Sequence, residues 1–259
     1  MTQSRVGALI TSVVTAIVCV VLLMPTVAVV PLSITKTDFV VFPPRGLSMR
    51  WYEAFFTSDV WRGAVMTSFI TAVLTMLVAT PIGTMMALGI ARLKGRWVGA
   101  ANVFILLPII VPTIVTAVAL YGLLAQLGLV GTIPGLVLAH TVLALPFVVI
   151  NVAAVLQKFD RRTEQAARSL GASPFTAFRR VTLPAILPGI AAGALFAFLT
   201  SFDDFVIALF LAGVDAVTLP VQMWSGIRFE ISPVVASAST VLLMMSCLLL
   251  LLQWWVKRR

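Results

Sequence analysis

Long apolar runs alternate with short charged segments along this chain, and the alternation predicts membrane helices. Six runs reach about 20 residues, the length needed to cross roughly 30 Å of hydrocarbon. They are Val6–Val30, Ala64–Ile90, Ala100–Leu124, Ile133–Val155, Ala185–Leu211 and Pro233–Val256. Each is expected to be helical, because lipid offers backbone groups no partner and a helix satisfies them internally. The second and third runs flank "ARLKGRWVG" and read as the clearest hairpin. The first run has a signal peptide as its competing reading. An apolar core of about 25 residues exceeds the 7–15 of a signal peptide, and no small-x-small cleavage site follows, so an uncleaved span is expected.

Composition agrees with this pattern. Hydrophobic residues make up 61% of 259 positions, charged residues 10%, and the mean hydropathy is +1.11. Soluble domains carry about 25% charged residues, which excludes that class. A net charge of +9 raises nucleic-acid binding as an option, but the placement of the charges accounts for it differently. Thirteen of the eighteen Lys/Arg lie at Arg5, in "RLKGR", in the 157–184 loop and in the terminal "KRR". The other five, Lys36, Arg45, Arg50, Arg62 and Arg228, lie in the alternate loops, with Asp38, Glu53, Asp59, Asp215 and Glu230. Positive residues are retained on the cytoplasmic side. Both termini and the 157–184 loop are therefore expected in the cytoplasm, and no nucleic-acid partner is expected.

Little on the chain offers catalysis. Cys19 and Cys247 fall inside spans, where free cysteine behaves as a small apolar residue. No HExxH, GxSxG or G-K-[ST] phosphate loop is present. A non-enzymatic chain with no cofactor and no metal is expected. "DFVVFPPRGLSMRWYEAFF", residues 38–56, reads as a segment at the lipid interface, with Trp51, Tyr52, Phe55 and Phe56 suited to the headgroup belt.

The 157–184 loop is punctuated too carefully for a solvated linker. Asp160 is placed to cap a helix running to about Leu170, with Glu164 near its positive end. Ala166, Ala167 and Leu170 give that helix a slim apolar face, and Gly171 supplies the left-handed turn that ends it. Ser173-Pro174 restarts a helix as cap and first residue, with Phe175 and Phe178 on one face. Leu183-Pro184 is expected to stop it. The product is a helix–turn–helix with a basic rim of Arg161, Arg162, Arg168, Arg179 and Arg180.

"EQAARSLGASPFTAFRRVTLPAILPG", residues 164–189, resembles the EAA motif of bacterial ABC-importer permeases, E-A-A-x-x-x-G followed by I/V-x-L-P. The match runs through Gln165-Ala166-Ala167, Gly171, Val181, Leu183 and Pro184. Gln165 stands where the motif has Glu, and Glu164 is the adjacent substitute. "FPPRGLSMRWY", "SFDDFVIALFLAG" and "TLPVQMW" extend the likeness to the spermidine/putrescine-type branch, whose relatives also serve aminoethylphosphonate, opines and other small solutes. The resemblance implies an all-α integral membrane protein with six spans, the type I ABC-importer permease fold, in one domain over residues 1–259. It further implies a second permease subunit, two cytoplasmic ABC ATPase subunits that hydrolyse ATP, and a periplasmic solute-binding protein. Glu164, Gln165, Ala166, Ala167, Leu170, Gly171, Phe175, Phe178, Leu183 and Pro184 would then couple the chain to an ATPase. A polyamine is the favoured solute.

Ser201-Phe202-Asp203-Asp204 places two carboxylates in the fifth run, at a cost of roughly 2.5–3.5 kcal/mol each at mid-bilayer. One reading makes one aspartate a cap or pair while the other meets the partner subunit; the other reading makes both a cation-attracting lining. His140, the only histidine, has the same choice between a ring bonded to a neighbouring helix and a polar pathway. Ser201, Phe202, Asp203, Asp204 and His140 are the candidate pathway residues. From other classes, a stand-alone secondary carrier or a membrane scaffold competes, although six spans are few for a carrier and no paired interrupted halves are visible.

Overall fold

The structure, a computed structural model, describes residues 5–93, 95–229 and 232–258. Lys94, Glu230 and Arg259, three of the charges in the orientation argument, lie outside the described residues. Among the described residues the chain is helical, with no strand beyond one antiparallel bridge between Thr35 and Leu47. The elements are α1 (Arg5–Ser33), α2 (Arg50–Thr57), α3 (Asp59–Ile90), α4 (Arg96–Ile110), α5 (Thr113–Gln126), α6 (Ile133–Leu156), α7 (Arg161–Ser169) and α8 (Pro174–Ala177). A π-helical stretch (Phe178–Thr182) follows, then α9 (Leu183–Asp203), α10 (Val206–Leu211), α11 (Leu219–Phe229) and α12 (Pro233–Arg258).

Contacts divide the chain into two compact units, residues 1–62 with 223–247, and residues 63–222 with 248–259. In the first unit, residues 34–48 fold back on themselves, with Ser48 N–H donating to the Ile34 carbonyl at 2.8 Å. The loop is tied to α2 by Trp51, whose Nε1 donates to the Thr35 carbonyl at 3.0 Å, and by the Ser33–Tyr52 hydroxyl pair at 2.7 Å. Phe55 is buried against Phe56 and Trp61. The expected aromatic belt is thus largely internal. Trp51 and Tyr52 tie α2 to this loop, Phe55 packs within α2 and against Trp61, and Phe56 alone of the four is exposed.

The second unit is built around α6. Its Leu136, Ala139, His140, Ala144, Val148 and Val152 are fully buried, as expected of a helix apolar all round. α9 lies along it through small residues, which let two backbones approach. At Gly193 a Cβ would stand 3.0 Å from Val148 Cα, so no larger residue fits without moving backbone. Ile105 of α4 packs with Ala144 and Val148 at one end. At the other end, Ala117 and Leu124 of α5 meet Ile207, Ala208 and Leu211 of α10.

Four helical segments are long and apolar enough to cross a membrane by themselves: Thr11–Ser33, Asp59–Ile90, Ile133–Leu156 and Pro174–Asp203. The expected single run 100–124 is two helices, α4 and α5, bent by 98° across Val111-Pro112, and makes a fifth span if the pair counts as one. Proline disfavours helical geometry in the residue before it, and Val111 and Pro112 are both extended (ψ 133° and 130°). The last apolar helix is described as such over Pro233–Leu248.

Two further boundaries depart from expectation. The run 185–211 does not continue through its carboxylates: α9 ends at Asp203, Asp204 is extended (φ −68°, ψ 125°), and α10 starts afresh. Leu183-Pro184 does not stop a helix either. Helical backbone passes from Pro174 to Asp203 because the π stretch widens one turn, with Leu183 N–H reaching back to the Phe178 carbonyl. Pro184 follows directly on the widened turn, as the second residue of α9.

Candidate functional site

The 157–184 loop folds as its caps dictate. The Asp160 side chain accepts from Arg162 N–H at 2.9 Å and opens α7. Gly171, at φ +88°, closes it: Gly171 N–H donates to the Arg168 carbonyl and Ala172 N–H to that of Ala167, the paired bonds of a glycine C-cap. Ser173 then caps α8, accepting from Thr176 N–H at 3.2 Å. The residues of the resemblance separate into two groups. Leu170 is 89% exposed and Phe175 71% exposed, two large apolar side chains carried outward on the capped helix pair. Gln165, Ala166 and Gly171 are exposed beside them, Ala167 and Phe178 are half-buried, and Leu183 and Pro184 form the root of α9.

Glu164 faces inward. Its Oε2 accepts a hydrogen bond from the buried Thr182 hydroxyl at 2.8 Å, joining α7 to the π stretch. Thr182 was invisible to sequence reasoning, since nothing local distinguishes it from the other threonines. The Arg161 guanidinium donates to the Ala91 carbonyl just past α3, so the loop is also bonded to the segment after that helix.

The second cluster lies in the bundle. His140 Nδ1 is 2.8 Å from Ser201 Oγ, whose hydroxyl donates to Thr75 Oγ1 at 3.3 Å. The Ser201 oxygen is then the acceptor for a proton on Nδ1. His140 Nε2 is 3.5 Å from Asp204 Oδ2, and the same carboxylate oxygen accepts from Ala208 N–H, in the first turn of α10, at 3.0 Å. Phe202 is buried and stacks on Phe198, so it packs α9 rather than lining a path within this chain. Asp203, adjacent in sequence, points elsewhere: it is exposed and has no ion pair among the described residues. The structure therefore brings His140, Ser201 and Asp204 together, adds Thr75, and separates Asp203 from them. Thr75 had one faint signal, a hydroxyl four residues after Thr71 in an apolar helix.

This helical bundle, with a capped helix pair at the root of one long helix, shares its fold with a chain of a solved ABC transporter. It superposes on the crystal structure of a bacterial ABC transporter involved in import of the acidic polysaccharide alginate with a TM-score of 0.77 at 16% identity, covering 98% of this chain and 96% of that one. The chain belongs to the family of binding-protein-dependent transport system inner membrane components, which matches residues 79–259. It is 33% identical over 196 residues to the spermidine/putrescine transport system permease protein PotC of Haemophilus influenzae, covering 76% of each chain. It is 32% identical over 211 residues to the molybdenum transport system permease protein ModB of Mycobacterium bovis, covering 74% of this chain and 80% of that one.

Proposed function

We propose that this chain is one of two permease subunits forming the membrane pathway of an ATP-driven importer, and that residues 160–182 couple it to a separate cytoplasmic ATPase. The carrying observation is Leu170 and Phe175 exposed on a frame closed by Asp160, Gly171 and Ser173. Residues 1–259 act as one permease domain with six spans in the bacterial inner membrane, the bent α4–α5 pair and α12 supplying the fifth and sixth. Both termini face the cytoplasm. A periplasmic binding protein delivers the solute, and the two ATPase subunits provide the energy that the chain, lacking a phosphate loop, does not.

The favoured solute is a polyamine, spermidine or putrescine, supported by the likeness to PotC and by the exposed Asp203 carboxylate. Another small solute is the alternative, since ModB is nearly as similar. The test is uptake into proteoliposomes holding the chain with the partner permease, ATPase and binding protein of its own system. ATP-dependent accumulation of labelled spermidine is the expected result. Accumulation of a different solute in its place would keep the importer and remove the polyamine. No ATP-dependent accumulation of any solute that the binding protein retains would remove both.

A further inference from the structure

A cleft of about 380 Å³ opens where α7 meets the ends of α3 and α6. Its charged lining is Arg92, Arg161, Arg168 and Glu164, and Leu88 and Leu156 supply apolar walls. The one carboxylate is engaged by the Thr182 hydroxyl, and Arg161 is oriented by its bond to the Ala91 carbonyl. Arg92 and Arg168 have no ion pair among the described residues. The cleft thus carries an excess of two positive charges beside apolar helix ends.

We propose that this cleft binds the phosphate of an anionic phospholipid between Arg92, Arg161 and Arg168, with the acyl chains leaving along the apolar ends of α3 and α6. Basic pockets between membrane helices at the cytoplasmic boundary hold such headgroups by this combination of charge and adjoining apolar surface. A guanidinium suits the site better than an ammonium because its planar fork grips two phosphate oxygens. The position also gives the lipid a consequence: it would bridge the loop bearing Leu170 and Phe175 to two membrane helices. The inference rests on reading the 157–184 loop as cytoplasmic, but its test requires no transport.

The experiment uses the assembled transporter in nanodiscs of phosphatidylcholine with a minority of phosphatidylglycerol, and native mass spectrometry to count retained lipids. Preferential retention of phosphatidylglycerol is expected, falling about fivefold in Arg92→Gln and again in Arg168→Gln, the loss of one near-surface cation each. Arg92→Lys should restore part of it, and Lys158→Gln, outside the lining, should change nothing. Equal retention of both lipids, or retention untouched by Arg92→Gln and Arg168→Gln, would overturn the proposal. A free-phosphate site would show instead as labelled inorganic phosphate bound by lipid-stripped protein without preference for phosphatidylglycerol, and that result also overturns it. So would release of the ATPase subunit by Arg92→Gln with lipid retention intact, because the cleft would then be a protein contact.

Discussion

The hydroxyl of Thr182 donates to the carboxylate of Glu164 across 18 residues of chain, at 2.8 Å. One partner lies on the first helix of the loop, the other at the end of the π stretch that leads into α9. The carboxylate next to the motif position is therefore an internal tie, and the loop is fastened to a membrane helix through it. Gln165, at the motif position itself, is exposed and faces away from this role.

The tie predicts coupling between the two residues. Glu164→Ala and Thr182→Val should each lower the thermal stability of the purified complex, and the double variant should lose less than their sum. The interaction energy expected for one side-chain hydrogen bond is about 1 kcal/mol, part of it screened at this half-exposed site. Strict additivity in the double-mutant cycle would show that the contact contributes nothing.

The glycine turn predicts a loss of transport without loss of insertion. Gly171 holds φ +88° and donates its N–H to Arg168. Proline supplies neither, at a cost of about 3 kcal/mol or more. Gly171→Pro should abolish ATP-driven uptake while membrane abundance is kept, since the turn lies outside every span. Normal uptake by the inserted variant would show that the loop does not couple.

Orientation is testable by labelling, after Cys19 and Cys247 are replaced. A cysteine at Ser173 should react only with reagents that cross the membrane, and one at Ser48 should react from outside. This follows from the thirteen-to-five division of Lys/Arg. The reverse pattern would invert the topology and with it the partner assignment.

The two aspartates should fail in different assays. Asp204 accepts from Ala208 N–H in the first turn of α10 and sits beside His140, so Asp204→Ala should reduce abundance and stability, by about 1 kcal/mol for the lost hydrogen bond alone. Asp203 is exposed, so Asp203→Asn should lower uptake of a cationic solute with abundance and binding-protein affinity unchanged. Full uptake by Asp203→Asn, measured as initial rate, would remove it from the pathway.

What the sequence made legible was local chemistry. Asp160, Gly171 and Ser173 act within three residues of themselves, so their caps could be read letter by letter. The inner partners could not: Thr182 with Glu164, and Thr75 with Ser201, are chosen by how helices pack. Hydropathy also blurred the division of Asp203 from Asp204, because the apolar run resumes at once with Phe205 and hides the extended residue between two helices. At Val111-Pro112 an apolar run that continues on both sides of the proline hides a bend of 98°. Proline misled in the opposite direction at Leu183-Pro184, where one widened turn absorbed it.

That widened turn has a consequence of angle rather than length. From Pro174 to Asp203 the chain is one helical column of 30 residues, about 45 Å at 1.5 Å per residue. Each residue also turns the column by about 100°. The five residues Phe178–Thr182 therefore set the bearing of everything beyond them relative to Phe175. Wound as ordinary α-helix, with one residue fewer per turn, the same five residues would swing Gly193 and Ser201 away from α6 by roughly a quarter turn. The π stretch keeps the face that meets α6 in phase with the face the loop shows to solvent.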